Sequence, residues 1–158
     1  MKLLILSDSH GSYAAVVRAI KAAGEIDAVF FLGDGESEFF SAAHYFQKAA
    51  VCAVRGNCDY TSSLQQLGVI ELGGHKILYA HGHTLGVKYD KSVILSAARE
   101  NGCDCAFFGH THTRFLEKTD GIWLFNPGSV SCPRDGKPPS CGIVTESGGE
   151  LYFEFVEP

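Results

Sequence analysis

Near its start the chain reads Leu3-Leu4-Ile5-Leu6-Ser7-Asp8-Ser9-His10, four apolar residues followed at once by polar ones. A short apolar run that stops at a polar turn is typical of a buried strand, which we place at Leu3 to Leu6. A helix is predicted next, because Ser12 can cap its N-terminus, apolar residues recur at helical spacing, and Gly24 can end it. A strand followed by a helix is the repeating unit of an α/β domain.

The same alternation continues along the chain. Further strands are predicted at Ala28 to Leu32, Val51 to Val54, Lys76 to Ala80 and Cys105 to Phe108. Helices are predicted between them, one with Phe39, Phe40, Ala43 and Phe46 on a single side and one from Asp90 to Asn101, stopped by Gly102. From Gly121 onward only strands are predicted, at Ile122 to Phe125, Gly142 to Thr145 and Leu151 to Val156. We therefore expect one domain, residues 1–158, with two packed sheets that are not wholly parallel and with helices outside them.

Composition excludes several classes of protein. The chain has 158 residues, 46% of them hydrophobic, and its 13 basic against 18 acidic residues give a net charge of −5. A dedicated nucleic-acid surface is not expected, because phosphate binding needs a basic surplus. No apolar run approaches the roughly 18 residues of a membrane helix, and the apolar N-terminus is too short for a secretory signal, so we expect a cytoplasmic protein. The six cysteines lack CxxC spacing and are expected to be reduced, mostly structural thiols.

Five predicted strands are each followed by residues that can bind metals. These residues are Asp8 and His10, then Asp34, then Asn57 and Asp59, then His81 and His83, then His110 and His112. A single such pair is more often a turn with a surface histidine, but five in register with strand ends indicate a site, because loops at the carboxyl ends of strands converge. So many oxygen and nitrogen ligands are too many for one ion. They fit two metals about 3.5–4 Å apart that share a carboxylate, as in many phosphoester hydrolases. Gly33, Gly56, Gly82 and Gly109 are expected to let the backbone turn sharply before the ligands.

The order of these motifs resembles that of the calcineurin-like metallophosphoesterase superfamily. The matching motifs are Asp8-x-His10, Gly33-Asp34, Gly56-Asn57-x-Asp59, His81-Gly82-His83 and Gly109-His110-x-His112. Within that superfamily, Gly56-Asn57-Cys58-Asp59 and Asn126-Pro127-Gly128-Ser129 resemble the small prokaryotic YfcE-type phosphodiesterases. The resemblance covers nearly the whole chain. It implies a four-layer α/β/β/α sandwich and a centre of two divalent ions, usually Mn²⁺ but also Fe, Zn, Ni or Co.

The resemblance also implies roles for individual residues. One metal would be bound by Asp8, His10, Asp34 and His112, and the other by Asp34, Asn57, His81 and His110, with Asp34 as the bridge. His83 matches a position beside the site, where we expect it to form hydrogen bonds behind the ligands. For Asn126 to Ser129 a tight structural turn is a sufficient interpretation.

Cys58 departs from the wider superfamily. The usual motif there is Gly-Asn-His-Asp, and its histidine contacts the substrate phosphate and helps to protonate the leaving group. A thiol is a poor substitute in either role, so general-acid help is expected to be weak, which favours phosphodiesters with good leaving groups. A nucleophilic Cys58 is not favoured, because the sequence shows no activating base nearby.

The leading hypothesis is hydrolysis of a small phosphodiester by a hydroxide that bridges two metals, with Asp34, Asn57, Cys58 and His83 in or beside the catalytic machinery. A phosphomonoesterase or nucleotidase with the same centre is one alternative. Another is a non-catalytic scaffold like the retromer subunit that resembles this family. Arg134 either reaches a phosphate or, as we favour, is a solvated surface residue. Exposed apolar residues around Phe39, Phe40 and Tyr45 could serve a homo-oligomer.

Overall fold

The computed structural model describes all 158 residues, Met1–Pro158, as ten strands and three α-helices. The strands are β1 (Lys2–Leu6), β2 (Ala28–Phe31), β3 (Ala50–Ala53), β4 (Leu67–Leu72), β5 (His75–Ala80), β6 (Cys105–Phe108), β7 (Arg114–Thr119), β8 (Ile122–Pro127), β9 (Cys141–Ser147) and β10 (Glu150–Val156). The helices are α1 (Tyr13–Ala23), α2 (Glu36–Ser41) and α3 (Ser92–Glu100), with short 3₁₀ turns at Ala43–Tyr45 and His83–Leu85. No helix has the length and apolar composition that a membrane-spanning segment needs.

The strands form two five-stranded sheets, in the orders β10-β9-β1-β2-β3 and β4-β5-β6-β8-β7. In the first sheet β1, β2 and β3 are parallel, while β9 is antiparallel to both β1 and β10. In the second sheet β5, β6 and β8 are parallel, and the edge strands β4 and β7 are antiparallel to their neighbours. Both sheets are mixed, as predicted.

Three separate hydrophobic cores define four layers. Alternate residues of β1 point to opposite faces, so Leu4 and Leu6 pack in a core with α1 and α2, while Leu3 and Ile5 pack between the sheets. The core between the sheets includes the edge-to-face ring contact of Phe30 with Phe107, whose centroids are 5.1 Å apart. A third core joins the outer face of the second sheet to α3. This confirms the four-layer α/β/β/α sandwich.

Local sequence signals explain where two helices begin and end. At α1 the Ser12 side chain accepts a hydrogen bond from the N–H of Ala15, and Gly24, with φ of 68°, ends the helix, as predicted. Helix α3 is shorter than predicted and starts at Ser92, because the Asp90 carboxylate accepts a hydrogen bond from the N–H of Ser92 ahead of the helix. The capping preferences of Ser and Gly account for the ends of α1, whereas the cap residue of α3, Lys91, makes no capping hydrogen bond through its side chain.

The structure corrects the prediction of one helix from Phe39 to Phe46. Helix α2 ends at Ser41, and a 3₁₀ turn follows. Phe39 and Phe46 are buried with their rings stacked, whereas Phe40 points away and is 42% exposed. Phe39 therefore belongs to the core, and of the three residues suggested for an oligomer surface only Phe40 and Tyr45 are exposed. The six cysteines are unpaired, and two of them, Cys58 and Cys132, are exposed.

Candidate metal centre

All seven predicted metal ligands lie at the same edge of the sandwich. Those from the first sheet follow β1, β2 and β3 and are Asp8, His10, Asp34 and Asn57. Those from the second sheet follow β5 and β6 and are His81, His110 and His112. The structure brings six of these side chains into two adjoining groups, which we call the first and second clusters, and a third group joins His10 and Asp34 to Cys58.

The first cluster consists of Asp8, His10 and His112. Nε2 of His112 lies 3.1 Å from Nε2 of His10 and 3.2 Å from Oδ1 of Asp8. Nε2 of His10 lies 3.9 Å from the same carboxylate oxygen. The Asp8 carboxylate is fully buried and the His112 ring nearly so, while His10 reaches solvent. The cluster therefore opens to the surface on the side of His10.

The second cluster consists of Asp34, His81 and His110, with Asn57 at its border. Nε2 of His81 lies 3.4 Å from Oδ2 of Asp34 and 3.2 Å from Nδ1 of His110. It also lies 3.2 Å from Oδ1 of Asn57. The same Oδ2 atom of Asp34 lies 3.8 Å from Nε2 of His10. Asp34 thus stands between the two clusters and faces both.

The first cluster sets lone pairs against one another. Nδ1 of His112 donates to the carbonyl oxygen of Cys132 at 2.7 Å, so Nε2 of a neutral ring would present a lone pair toward Asp8. Burial lowers the pKa of His112, but the hydrogen bond and charge of Asp8 outweigh it and raise that pKa, so a positive charge is favoured between the two groups. Oδ1 of Asp8 is buried and has no hydrogen-bond partner. A buried carboxylate oxygen that faces an imidazole lone pair is costly unless a cation lies between them. Carboxylate, amide and imidazole ligands suit Mn²⁺, Fe²⁺, Zn²⁺, Ni²⁺ and Co²⁺, so the residues fit the predicted metals.

Hydrogen bonds behind the clusters fix the orientation of the ligands. Nδ1 of His81 donates to the carbonyl oxygen of Leu32 at 2.6 Å, which turns Nε2 inward. Oδ2 of Asp8 accepts from Ser7 Oγ at 2.5 Å and from the N–H of His110 at 3.0 Å, which leaves Oδ1 for the cluster. Such outer hydrogen bonds set the tautomer and direction of metal ligands.

Charges within the clusters shift the pKa values of their members. Burial raises the pKa of Asp34, but the hydrogen bond and charge of His81 outweigh it and hold that pKa well below its usual range. Burial lowers the pKa of His81, but the carboxylates of Asp34 and Asp8 outweigh it and raise that pKa. Burial and the charges of His81 and Lys88 lower the pKa of His110 to about 4. Ionised Asp34 and neutral His110 are the forms that bind metals.

Five of the seven ligand residues have a left-handed backbone. Their φ angles are 56° for Asp8, 42° for His10, 59° for Asp34, 66° for His110 and 57° for His112. The only other non-glycine residue with a positive φ angle is Asp120, in the turn between β7 and β8. Such a conformation costs a non-glycine residue about 1–2 kcal/mol and persists only where the surrounding structure imposes it. The strain is therefore concentrated at the candidate site.

Asp59 has a structural role that the sequence analysis did not assign. Its Oδ2 accepts hydrogen bonds from the N–H groups of Asp34 and Gly56, both at 2.8 Å. Its Oδ1 accepts from the N–H groups of Gly35 at 2.8 Å and Glu36 at 3.0 Å. One carboxylate therefore joins the loop that carries Asp34 to the loop that carries Asn57. The signal in the sequence was an acidic residue two positions after Asn57 that belongs to neither of the two predicted ligand sets.

Asn126 and Ser129 extend the predicted turn into the site. The turn is present, because Oδ1 of Asn126 accepts the N–H of Gly128 at 2.9 Å. The same side chain, fully buried, also donates through Nδ2 to the carbonyl oxygen of Gly109 at 2.8 Å. Ser129 Oγ donates to the carbonyl oxygen of Asp8 at 2.7 Å. The turn thus supports ligand loops of both sheets, which a purely local interpretation missed.

Two of the four glycines serve close packing instead of a sharp turn. Gly33 and Gly82 have positive φ, as expected, but Gly56 and Gly109 do not. A Cβ at Gly56 would collide with the Asp34 carboxylate, and one at Gly109 would collide with Ser7 Oγ. Glycine is needed at these two positions because side chains of the site lie directly against the backbone.

Cys58 lies at the edge of the site as a protonated thiol. Its N–H donates to Oδ1 of Asp34 at 2.7 Å, and its sulfur accepts from Nδ2 of Asn57 at 3.3 Å. Burial and the carboxylates of Asp34 and Asp59 raise the pKa of the thiol, because each disfavours the negative thiolate. The structure therefore offers no activation of Cys58 as a nucleophile.

His83 lies beside the second cluster without the hydrogen bonds that we predicted. Its ring centroid is 5.2 Å from that of His81 and 6.1 Å from that of His110. Its Nδ1 is buried and has no partner, so the predicted hydrogen bond behind the ligands is absent. Burial and the charge of His81 lower the pKa of His83, so its ring is neutral near pH 7.

Two pockets of opposite charge adjoin the site. A cleft of about 720 Å³ opens beside His10 and Asp34, and the carboxylates of Glu36 and Glu38 and the rings of Phe40 and Tyr60 line it. A smaller pocket of about 380 Å³ has a wall made of Lys88, Lys91, Phe108, Thr111, Thr113, Phe115 and Arg134. Arg134 is exposed, as favoured, but it stands on the wall of this second pocket.

Comparison with known proteins gives relatives over almost the entire chain. A family model described as the calcineurin-like phosphoesterase superfamily domain matches residues 1–149. Probable metallophosphoesterase YsnB of Bacillus subtilis is 35% identical, over 99% of this chain and 91% of its own length. Phosphodiesterase YfcE of Escherichia coli is 32% identical, over 91% of this chain and 87% of its own length.

Solved structures show the same architecture. A conserved Streptococcus pneumoniae protein described as a predicted phosphoesterase has a TM-score of 0.85 at 26% identity, over 99% of this chain and 88% of its own. Vps29 of Entamoeba histolytica, complexed with zinc, has a TM-score of 0.78 at 21% identity, over 99% of each chain, which shows a shared fold. With a family match that extends over nearly its whole length, the chain belongs to the calcineurin-like phosphoesterase superfamily.

Proposed function

We propose that the protein is a phosphodiesterase that hydrolyses a small phosphodiester at a centre for two divalent ions, with Mn²⁺ as the first candidate. The position of Asp34 carries this proposal, since its Oδ2 faces Nε2 of His10 at 3.8 Å and Nε2 of His81 at 3.4 Å. One ion would be held by Asp8, His10, Asp34 and His112, and the other by Asp34, Asn57, His81 and His110. Fe, Zn, Ni and Co share this ligand chemistry.

The chain supplies the frame for direct hydrolysis. When bound, two such ions lower the pKa of coordinated water and neutralise charge that develops on the phosphoryl oxygens. The hydrogen bonds from Nδ1 of His81 and of His112 to backbone carbonyls hold both rings in place before substrate arrives. Cys58 does not attack phosphorus in this proposal, because the carboxylates of Asp34 and Asp59 keep its thiol protonated. No covalent enzyme intermediate is required.

The leaving group receives little help from the protein. The imidazole that the wider superfamily places at position 58 is replaced by a thiol, and the nearby His83 is neutral at pH 7 and so has no proton to give as an imidazolium. We therefore expect turnover to fall steeply as the pKa of the leaving alcohol rises, and phosphodiesters with acidic alcohols to be the best substrates.

Diester hydrolysis is favoured over the two alternatives by separate observations. A phosphomonoester carries a second negative charge, which the carboxylates of Glu36 and Glu38 in the cleft beside Asp34 would repel. The relative YfcE bears the name phosphodiesterase. A scaffold role rests only on the likeness to Vps29, which at 21% identity is a likeness of fold.

The test is to strip the metals, reload the protein with Mn²⁺, and compare hydrolysis of bis-p-nitrophenyl phosphate with that of p-nitrophenyl phosphate. Asn57→Ala serves as the site-disrupting control. Metal-dependent turnover mainly of the diester is the expected result. Preference for the monoester would assign a phosphatase instead, and two bound ions without turnover of either ester would favour the scaffold.

A further inference from the structure

The pocket of about 380 Å³ beside the metal centre has three cations and no carboxylate on its wall. Lys88, Lys91 and Arg134 provide the charges. The ion pairs formed by lysine and arginine side chains elsewhere involve Arg99 and Arg114, and none involves these three residues. In a chain with a net charge of −5, three unpaired cations around one pocket repel one another unless an anion joins them. We call this site the basic pocket.

The basic pocket directly adjoins the ligand loop of the second sheet. Thr111, on its wall, is the residue between His110 and His112. The N–H of Arg134 donates to the carbonyl oxygen of His112 at 2.9 Å, so the backbone at Arg134 is fixed to a ligand residue. A molecule bound at the centre is therefore within reach of this pocket.

The other opening of the centre has the opposite charge. The cleft beside His10 and Asp34 carries the carboxylates of Glu36 and Glu38, and Oε2 of Glu36 is buried there without a hydrogen-bond partner. An anionic group on a substrate would be repelled from this cleft and attracted to the basic pocket. The electrostatic field thus orients an asymmetric diester across the centre.

We propose that the basic pocket binds a second anionic group, a phosphate or a carboxylate, on one arm of the phosphodiester substrate. The inference rests on the proposed phosphodiesterase function and narrows its substrate class to diesters with an anionic arm. The neutral leaving arm lies in the cleft with Phe40 and Tyr60, whose rings offer an apolar surface. Lys88, Lys91 and Arg134 are specificity-determining residues in this assignment.

Three p-nitrophenyl diesters with the same leaving group test the proposal. Their second arms are phenyl, 4-carboxyphenyl and 4-phosphonophenyl, so only the anionic group differs. For the Mn²⁺-loaded protein, kcat/KM is expected to be about three- to tenfold higher for the anionic arms than for phenyl. A larger gain with the phosphonate would identify a phosphate-type arm, and a larger gain with the carboxylate would identify a carboxylate-type arm.

Charge variants locate the effect. Lys88→Gln and Arg134→Gln are expected to abolish the preference for the anionic arms, and the loss should appear as a higher KM for the anionic esters more than as a lower kcat. Lys118→Gln is the matched control, because Lys118 lies over the Trp123 ring, outside the basic pocket, and its loss changes the net charge equally. A preference that survives both pocket variants, or that Lys118→Gln removes equally, overturns the proposal.

Failure of the proposed function gives a different result. If the metal-loaded protein hydrolyses none of the three esters, the phosphodiesterase assignment fails, and the phenyl and 4-carboxyphenyl esters are then titrated into that protein by calorimetry. Tighter binding of the carboxylate ester that Arg134→Gln removes would still support an anion site. Equal affinities would overturn the basic pocket independently of catalysis.

Discussion

The two sheets contribute different side chains to the candidate metal centre. The first sheet supplies mostly oxygen ligands, from Asp8, Asp34 and Asn57, with one imidazole from His10. The second sheet supplies only imidazoles, from His81, His110 and His112. Each of the two clusters needs both sheets, because the first cluster takes His112 from the second sheet and the second cluster takes Asp34 from the first; only the group of His10, Asp34 and Cys58 comes from one sheet. The negative charge of the candidate centre thus comes from the first sheet. The positions of its other groups depend on how the second sheet packs against the first.

Contacts across the seam between the sheets align the two halves. In the core, the ring of Phe30 in the first sheet meets those of Phe107 and Tyr79 in the second, at centroid distances of 5.1 and 5.4 Å. At the site, the hydrogen bond from His81 to the carbonyl oxygen of Leu32 crosses the same seam. The geometry of a site between the sheets depends on how the two sheets pack. Substitutions of site residues in the first sheet and in the second should therefore affect activity and metal binding differently.

Removing the negative charge of Asp34, in the first sheet, should have the largest effect on activity. In Asp34→Asn, of nearly equal size, kcat/KM for bis-p-nitrophenyl phosphate is expected to fall by more than about a thousandfold, because both ions lose a shared anionic ligand. Metal analysis should find fewer than two bound ions. Asp120→Asn is the matched control, since Asp120 also has positive φ but lies outside the site. Full activity and metal content in Asp34→Asn would exclude the proposed centre.

Removing one imidazole of the second sheet should be milder and reversible. In His110→Asn, activity at micromolar Mn²⁺ is expected to fall by about a hundredfold, and millimolar Mn²⁺ should restore much of it, because a neutral ligand is lost and the charge of the centre is unchanged. Asparagine is chosen because it tolerates the φ of 66° at this position. Metal titrations of activity measure the difference. A loss that excess metal cannot reverse would contradict the distinction between the two sheets.

Loosening the first sheet's loops should cost stability as well as activity. Asp59→Asn replaces a carboxylate that accepts four backbone N–H groups, so unfolding of the metal-free protein in urea should be easier by about 2–3 kcal/mol. Activity should fall by about ten- to a hundredfold, as for outer groups that orient ligands. The comparable variant for the second sheet is Asn126→Leu. It removes the two hydrogen bonds that Nδ2 of Asn126 donates to the carbonyl oxygen of Gly109 and to Oγ1 of Thr111, in the loop that carries His110 and His112. Unchanged unfolding in Asp59→Asn would show that its loops are held by other contacts.

The sequence predicted eight of the ten strands, including the edge strands β3 and β10 of the first sheet, and missed both edge strands of the second. Runs such as Leu3 to Leu6 and Cys105 to Phe108 are continuously apolar because both sides pack against a layer. The strands β4 and β7 were not predicted, since they form the edges of the second sheet and carry polar residues such as Glu71 and Lys118 there. These two edge strands face solvent and carry a weaker apolar pattern than β3 and β10, whose apolar or alternating residues identified them.

The residues that meet at the candidate site could be predicted from the sequence, whereas the groups that support them could not. Asp8 and His112 could be named because each follows a buried strand in a recurrent order. Their left-handed backbone could not be predicted from the sequence, because non-glycine residues rarely adopt positive φ. The hydrogen bonds found at this backbone come from residues distant in the sequence, such as that from Ser129 Oγ to the carbonyl oxygen of Asp8. Asp59 was visible in its motif, but its four N–H partners belong to two loops that only the folded chain brings together.

The smallest effect is expected at Cys58, where the site departs from the wider superfamily. Cys58→Ala should change kcat/KM for bis-p-nitrophenyl phosphate by less than about threefold, because the thiol is protonated and p-nitrophenolate leaves without a general acid. Cys132→Ala, at the other exposed cysteine, is the control for loss of a surface thiol. Cys58→His should instead improve hydrolysis of diesters with less acidic alcohols, since it restores an imidazole beside Asp34. A loss of more than about tenfold in Cys58→Ala would mean that the thiol acts in catalysis, and the oxygen-rich first sheet would then supply a sulfur group as well.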